Sequence, residues 1–237
     1  MRIFVDPAVL AAGELVVGGD EHHYLSHVRR ARPGDSVELV DGAGRRAMAT
    51  IAHITADATT LHAGPPERCA ARPPWVRALV PLIKGERMEA CLEKLVEVGA
   101  DAIVVWPAAR SVARLDGSRR DARLVRYRAI AQAAARQSGR AEVPAVSFAD
   151  DLAAALGGLP EPGPATARLL LDPASDAPIA PGDRTDVTVL SGPEGGLAPG
   201  ELEQLVSFSP VGLGPRILRA ETAPMVAVAL IRAATGS

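Results

Sequence analysis

Two short segments near the end of the chain carry the residue types that a ligand-binding backbone needs. Ser191-Gly192-Pro193-Glu194-Gly195-Gly196 follows one apolar stretch, and Gly212-Leu213-Gly214-Pro215-Arg216-Ile217-Leu218-Arg219 follows another. Glycine lacks a side chain, so a loop rich in it can bring its amides and carbonyls directly against a bound molecule. If each loop follows a strand of an open α/β sheet, both lie beyond the carboxyl ends of strands, where such sheets bind ligands. Two such loops could enclose one flat ligand. Ordinary turns use the same residues, and on glycine content alone that plainer account is the better one.

Other chemistries find little support. Gly42-Ala43-Gly44-Arg45-Arg46-Ala47 fits the dinucleotide pattern GxGxxA, but Ala47, Ala49 and Ile51 then alternate as in a strand, so a hairpin turn is expected there. The chain has neither a GxxxxGK[ST] phosphate loop nor a GxSxG nucleophile elbow. His22, His23 and His27 cluster without HExxH or Cys/His spacing, so they are expected to make polar contacts at the surface of a β domain, and no metal site is expected. Glu93 and Glu97 stand one helical turn apart around Lys94, a pattern that supports a helix rather than acid–base catalysis. Cys69 and Cys91, the two cysteines, form no paired motif, which points away from disulfides and towards a reducing cytoplasm.

Charge is more informative locally than overall. The chain carries a net charge of -2, yet residues 110–140 hold nine arginines (110, 114, 119, 120, 123, 126, 128, 136 and 140) against Asp116 and Asp121. Such a run can hold phosphates, and it can equally be a solvated helical face. With 48% hydrophobic residues the 237-residue chain can bury a core without staples, and no apolar run is long enough for a signal peptide or a membrane span, so a soluble protein is expected.

The elements that must position the two loops come in two rhythms. Up to about residue 61 the apolar segments are short (37–40, 47–54) and separated by Gly, Pro and Asp, which reads as a small β domain. Residues 64–74 interrupt all periodicity and make a linker. Beyond it, 76–83 is an apolar run, Met88, Cys91, Leu92, Leu95 and Val96 recur at helical spacing, and Gly99 would end that helix. Residues 102–106, 168–171 and 187–190 read as strands, 119–138 as a long helix and 157–164 as a loop. Strands alternating with helices imply an α/β domain with a mainly parallel sheet.

Together these pieces resemble the RsmE family of the SPOUT superfamily, enzymes that methylate N3 of uridine in 16S ribosomal RNA. The resemblance runs along nearly the whole chain. It is carried by Arg2-Ile3-Phe4-Val5; His27-Val28-Arg29-Arg30 with Gly34-Asp35 and Asp41-Gly42; Lys84-Gly85-Glu86-Arg87-Met88-Glu89; Glu93-Lys94-Leu95 with Glu97 and Gly99; Gln137-Ser138-Gly139-Arg140 with Val143-Pro144; and the two glycine loops with Glu221-Thr222-Ala223. It departs from the family at Arg136, where Glu is frequent, at Ala220, where Thr is frequent, and at Pro224, where Ala is common. Proline is acceptable there if a helix begins near Thr222, because the first turn has no amide partner to lose.

The resemblance implies an α/β protein with an N-terminal PUA-like β-barrel that binds RNA, over residues 1–72. A C-terminal SPOUT α/β domain over residues 73–237 would be tied in a deep trefoil knot, a rare exception to unthreaded chains. S-adenosyl-L-methionine would lie bent within the knot. Carried over position by position, Leu190, Gly192, Glu194, Gly196, Leu213, Gly214, Ile217, Leu218, Arg219 and Thr222 become its site. The substrate would be a specific uridine of 16S rRNA, met within the assembled small subunit, and the enzyme a cytoplasmic homodimer. The apolar residues Met225, Val226, Val228, Ala229 and Ile231 of the last helix exceed what one buried face requires, which fits a dimer. Arg29, Arg30, Arg119, Arg120, Arg123 and Arg126 are the expected RNA contacts. Uridine N3 must lose a proton, so a cation near the base would stabilise the charge that develops, with Arg219 the first candidate and Arg140 the second. A non-catalytic RNA-binding protein, or a SPOUT enzyme acting on another RNA, are the readings to be distinguished from this one.

Overall fold

The computed structural model describes residues 1–70, 72–111 and 117–236. Arg114 and Asp116 of the arginine-rich segment lie outside the described residues. The chain divides into two units, one made of Met1–Ala71 and Ala135–Val143, the other of Arg72–Ala134 and Pro144–Ser237.

The first unit is built on strands β1 (Arg2–Phe4), β2 (Gly13–Val17), β3 (Ser36–Val40), β4 (Arg45–Ile54), β5 (Thr59–Ala63) and β6 (Glu67–Arg68). They pair in the order β1-β3-β4-β5-β2, with β6 on β4, and β1 lies parallel to β3 while the other pairs are antiparallel. The alternation at Ala47, Ala49 and Ile51 has its expected consequence: these three face the core, packed with Ile3, Val37, Leu39 and Leu61. The turn between β3 and β4 is the hairpin that the alternation predicts. The Asp41 carboxylate accepts the amides of Ala43 and Arg45 at 2.8 and 2.9 Å and the Arg45 Nε at 2.6 Å. Gly42 and Gly44 take φ of 71° and 87°, the left-handed conformations such a turn requires.

Two features of this unit differ from the sequence reading. Between β2 and β3 lies α1 (Gly19–His23), which runs on into a π-helical turn at Tyr24–Val28 and plugs Leu25 into the core. His22 accordingly is not at the surface: it is buried, its ring nitrogens 2.9 Å from Thr59 Oγ1 and 3.0 Å from the Ala56 carbonyl. His23 and His27 do remain exposed, stacked with ring centroids 4.8 Å apart. Arg136 pairs with Glu21 and lies over the rings of Phe4 and Tyr24. Burial pushes the Glu21 carboxyl above its ordinary value, against the pull of Arg136. The unusual arginine at 136 thus has its own acid.

The second unit holds β7 (Trp75–Pro81), α2 (Glu86–Glu97), β8 (Ala102–Trp106), α3 (Gly117–Ser138, whose last turn is counted with the first unit), β9 (Ala145–Phe148), α4 (Leu152–Gly157), β10 (Thr166–Leu171), β11 (Asp186–Leu190), α5 (Pro199–Leu202, continued by a 3-10 turn at Glu203–Leu205), β12 (Ser209–Val211) and α6 (Thr222–Thr235). The sheet runs β12-β10-β11-β7-β8-β9 and every pair is parallel. β7 and β11 are buried along nearly their whole length, as strands covered on both faces are, and the buried Arg77 of β7 donates to Thr188 Oγ1 of β11 at 3.1 Å. Met88, Cys91, Leu92, Leu95 and Val96 of α2 are all buried, as their spacing requires. The chain steps inward from β10 to β11 and then outward past β10 to β12. Connections leave the adjacent strands β7 and β11 in opposite directions, to β8 on one side and past β10 to β12 on the other, which is where an open α/β sheet forms a crevice.

The helix that follows the second glycine loop is held at its far end. Arg232 of α6 donates to the carbonyls of Gly99 (2.7 Å) and Pro74 (2.7 Å) and pairs with Asp101. α6 begins at Thr222, so Pro224 falls in the first turn, where no amide is missed. Among the described residues no helix is long and apolar enough to cross a membrane.

Candidate active site

A cavity of about 600 Å³ opens at the carboxyl ends of β10, β11 and β12. Three loops wall it. The first glycine loop leaves β11 with the Ser191 amide bonded to the Leu79 carbonyl (3.1 Å), and it turns back on itself through the Gly196 amide and the Pro193 carbonyl (2.9 Å). Arg110 packs against Gly195, where a Cβ would stand 3.2 Å from its own, and donates to the Gly195 carbonyl at 3.2 Å. Behind this loop the buried Glu201 accepts the amides of Ala198 and Ala109, both at 2.7 Å, tying the loop's exit to the end of β8.

The second glycine loop is fixed by close backbone packing. A Cβ on Gly212 would lie 1.9 Å from the Ser175 carbonyl oxygen, and the Gly212 amide donates to Ala177 O at 2.8 Å. Glycine is therefore demanded by contact at 212, whereas at Gly214 it is demanded by a φ of 95° in open space. The end of β10 supplies Leu170 and Leu171 to the third wall, and the loop after it supplies Asp172 and Pro173.

Polar groups at the cavity are few and placed. Ser191 is 2% exposed, and its hydroxyl has no hydrogen-bond partner among the described residues, a costly state for a buried group unless a ligand or water completes it. Glu194 pairs with Arg87 of α2 at 2.9 Å; Arg87 stands 3.6 Å from Glu221, and Glu221 stands 4.0 Å from Arg219. The Arg219 side chain is 77% exposed. Cys91, beneath Glu221, is no nucleophile: burial first, and the Glu221 charge second, push its thiol up to about 12. No cluster of three or more His, Cys, Asp or Glu able to hold a metal occurs among the described residues.

A sequence model described as an RNA methyltransferase domain matches residues 71–232, and one described as an RNA methyltransferase PUA domain matches residues 17–61. The chain is 36% identical to ribosomal RNA small subunit methyltransferase E of Mycobacterium tuberculosis (strain CDC 1551 / Oshkosh), over 98% of its own length and 90% of the relative's. It belongs to the ribosomal RNA small subunit methyltransferase E family. The Bacillus subtilis (strain 168) member is 30% identical over 91% of this chain and 88% of its own. A crystal structure of the Neisseria gonorrhoeae enzyme bound to S-adenosyl methionine superposes with a TM-score of 0.84 at 26% identity, covering 98% and 96% of the two chains.

In this methyltransferase E family member, Gly192, Glu194, Gly196, Leu213, Gly214, Ile217, Leu218 and Arg219 line the cavity, and Leu190 and Thr222 do not. Leu190 is wholly buried with Leu79 and Trp106 in the core beneath, because its strand position turns it to the other face from Ser191. Thr222 opens α6, and its amide donates to the Arg219 carbonyl at 2.9 Å. Ile217 is 85% exposed at the rim. Arg140 lies in the first unit, half-buried, its amide bonded to Ala135 O. Arg29, Arg30 and Arg119 are exposed. Arg120 is engaged by Asp150 and the Phe148 carbonyl and Arg126 by Glu89, and Arg123 is half-buried. Sequence reasoning missed the wall after β10 and, at the rim, Arg216. An Asp-Pro pair directly after an apolar strand was the available signal for the former.

Proposed function

We propose that the protein transfers a methyl group from S-adenosyl-L-methionine to N3 of a specific uridine in 16S rRNA, acting in the cytoplasm as a homodimer on the small ribosomal subunit. The observation that carries the reading is the cavity between two glycine loops, with a buried hydroxyl in its wall that has no partner among the described residues and an exposed arginine at its mouth. The residues present suit the donor: the volume is that of a small-molecule site. Leu170, Leu171, Leu197, Val211, Leu213 and Leu218 offer apolar surface to a purine, the glycine loops offer backbone polar groups, and Asp172 offers negative charge for a cation. S-adenosylmethionine supplies an electrophilic methyl group on a sulfonium.

The chain's own part is to bind, orient and stabilise charge. Glycine loops bring backbone donors and acceptors to fixed places, and the apolar wall excludes water, which strengthens every electrostatic term inside. Uridine must give up its N3 proton, leaving negative charge on the base. Arg219 is the cation we assign to it, since an exposed guanidinium can reach an arriving nucleotide without losing its own proton; Arg140 is the second candidate.

Residues 1–72 are proposed to form the PUA-like barrel that holds RNA, with Arg29, Arg30 and the arginines at 119, 120, 123 and 126 as phosphate contacts. Residues 73–237 are proposed to form the knotted SPOUT domain. The close approach of Gly212 to the segment at Ser175 supports threading at this place. Leu230, 47% exposed on α6, supports a partner against that helix. Nucleoside analysis of ribosomal RNA from cells lacking the protein tests the reading: 3-methyluridine should disappear from 16S rRNA and return with the wild-type gene. An unchanged modification profile overturns it, and a monomer in light scattering overturns the dimer.

A further inference from the structure

The two glycine loops come from separate strands, and something must keep them in register across the cavity. Arg87 stands in the first turn of α2, whose opposite face is buried through Met88, Cys91, Leu92, Leu95 and Val96, so its backbone is anchored to the core of the second unit. Its Nη1 lies 2.9 Å from Glu194 Oε1, in the loop after β11, and 3.6 Å from Glu221 Oε2, which directly follows the loop after β12. That Glu221 oxygen is buried and has no hydrogen-bond partner among the described residues. Its other oxygen faces Arg219 at 4.0 Å.

We infer that Arg87 is a positioning residue that fastens both cofactor loops to α2, through Glu194 on one side and Glu221 on the other. The inference deepens the proposed function and rests on reading the cavity as the cofactor site. Its first consequence concerns Glu194: sequence reasoning places this residue in the cofactor site, and its carboxylate is committed to a guanidinium. Its second concerns Arg219, whose nearest acid is held by the same guanidinium, so that the position of the cofactor loop and that of the proposed catalytic cation are linked through one side chain. Arg87 and Glu194 are both substantially exposed, so the link is open to screening by salt.

Hydrogen exchange of the full chain without cofactor reads the clamp directly. In Arg87→Ala the amides of residues 191–197 and of 213–221 should both exchange about three-fold faster at low salt, the scale of an exposed ion pair. Arg87→Lys should restore part of the protection. Sodium chloride should move the wild type towards the variant and leave the variant where it is. Core amides of β7 and β8 report whether the variant is folded. If it is not, Glu194→Gln and Glu221→Gln test the two halves of the clamp, the first loosening residues 191–197 and the second residues 213–221. In Arg87→Ala, exchange unchanged in both loops or faster in only one overturns the inference, as does either glutamine variant that leaves its own loop unchanged. Calorimetric titration with S-adenosylmethionine separates the two readings. A wild type that fails to bind sinks the cofactor assignment while the exchange data still judge the clamp. A wild type that binds should lose about three-fold in affinity on Arg87→Ala, and undiminished affinity counts against the clamp.

Discussion

Replacing Gly212 by alanine puts the geometry of the cavity to a quantitative test. The added Cβ would stand 1.9 Å from the Ser175 carbonyl oxygen, where real Cβ atoms essentially never come closer than 3.0 Å. One backbone must therefore retreat by roughly 1 Å in a close-packed place. Overpacking of this kind costs about 1–3 kcal/mol, and the bond from the Gly212 amide to Ala177 O, worth about 1 kcal/mol, is strained with it. A total of about 2–4 kcal/mol is less than the 5–15 kcal/mol typical of a folded domain, so the variant should fold. Its melting temperature should drop by roughly 4–16 °C for a protein of this size. If the loop returns to its native place only on binding, affinity for S-adenosylmethionine falls by about 30-fold or more, at 1.4 kcal/mol per factor of ten. Gly214→Ala is the control: nothing lies within 4 Å of its Cβ, and only the positive φ opposes it, a cost of about 1–2 kcal/mol. Calorimetric titration with a parallel thermal melt measures both quantities. A Gly212→Ala protein that melts like the wild type and binds within two-fold of it would refute the reasoning.

Three further outcomes are expected. Hydrogen bonds from the Arg45 and Ala43 amides and the Arg45 side chain outweigh the opposing desolvation and hold the Asp41 carboxyl below its ordinary value; its contribution is therefore present above pH 3.8 and is lost as pH falls through the depressed folded value. Asp41→Ala should cost about 1–3 kcal/mol and remove that acid-side slope, as read by denaturant melts at several pH values. Alkylation at pH 8 should label Cys69 well before Cys91, whose thiol stays protonated up to about 12; equal labelling would contradict the buried position. Arg219→Ala should lower the single-turnover methylation rate more than RNA affinity, while Arg29→Ala with Arg30→Ala should weaken RNA binding and flatten its salt dependence; identical profiles would make Arg219 one more phosphate contact.

Much of the fold is legible in the sequence because its signals are periodic. Ala47, Ala49 and Ile51 alternate and lie inward, and the five apolar positions of α2 recur at helical spacing and are buried. The elements that escape such reading are short. α1 and the π turn after it span ten residues and put only His22 and Leu25 inside, too few points to define a period. His22 is misplaced for the same reason: its partners Thr59 and Ala56 are more than thirty residues away, and histidine spacing carries no trace of them. β9 and α4 are four and six residues long and suffer likewise.

At the site, the sequence shows which residues are unusual but not what they face. The glycines at 212 and 214 look alike on paper. In the structure one is required by a carbonyl nearly forty residues earlier and the other by its own φ. Arg219 and Arg87 are likewise both arginines in family motifs. One has a largely exposed side chain at the cavity mouth, and the other spans a gap between two acids, 107 residues from the nearer in space. Glu194 shows why the distinction is mechanistic. An acid in a glycine loop can hold a ligand or hold the loop, and the two roles predict opposite results when the charge alone is removed. If Glu194 holds the ligand, Glu194→Gln weakens cofactor binding and leaves exchange in the cofactor-free loops as it was. If Glu194 holds the loop, the same change loosens the loop after β11 before any cofactor is added. With the guanidinium at 2.9 Å from the carboxylate, the second result is the one the geometry requires.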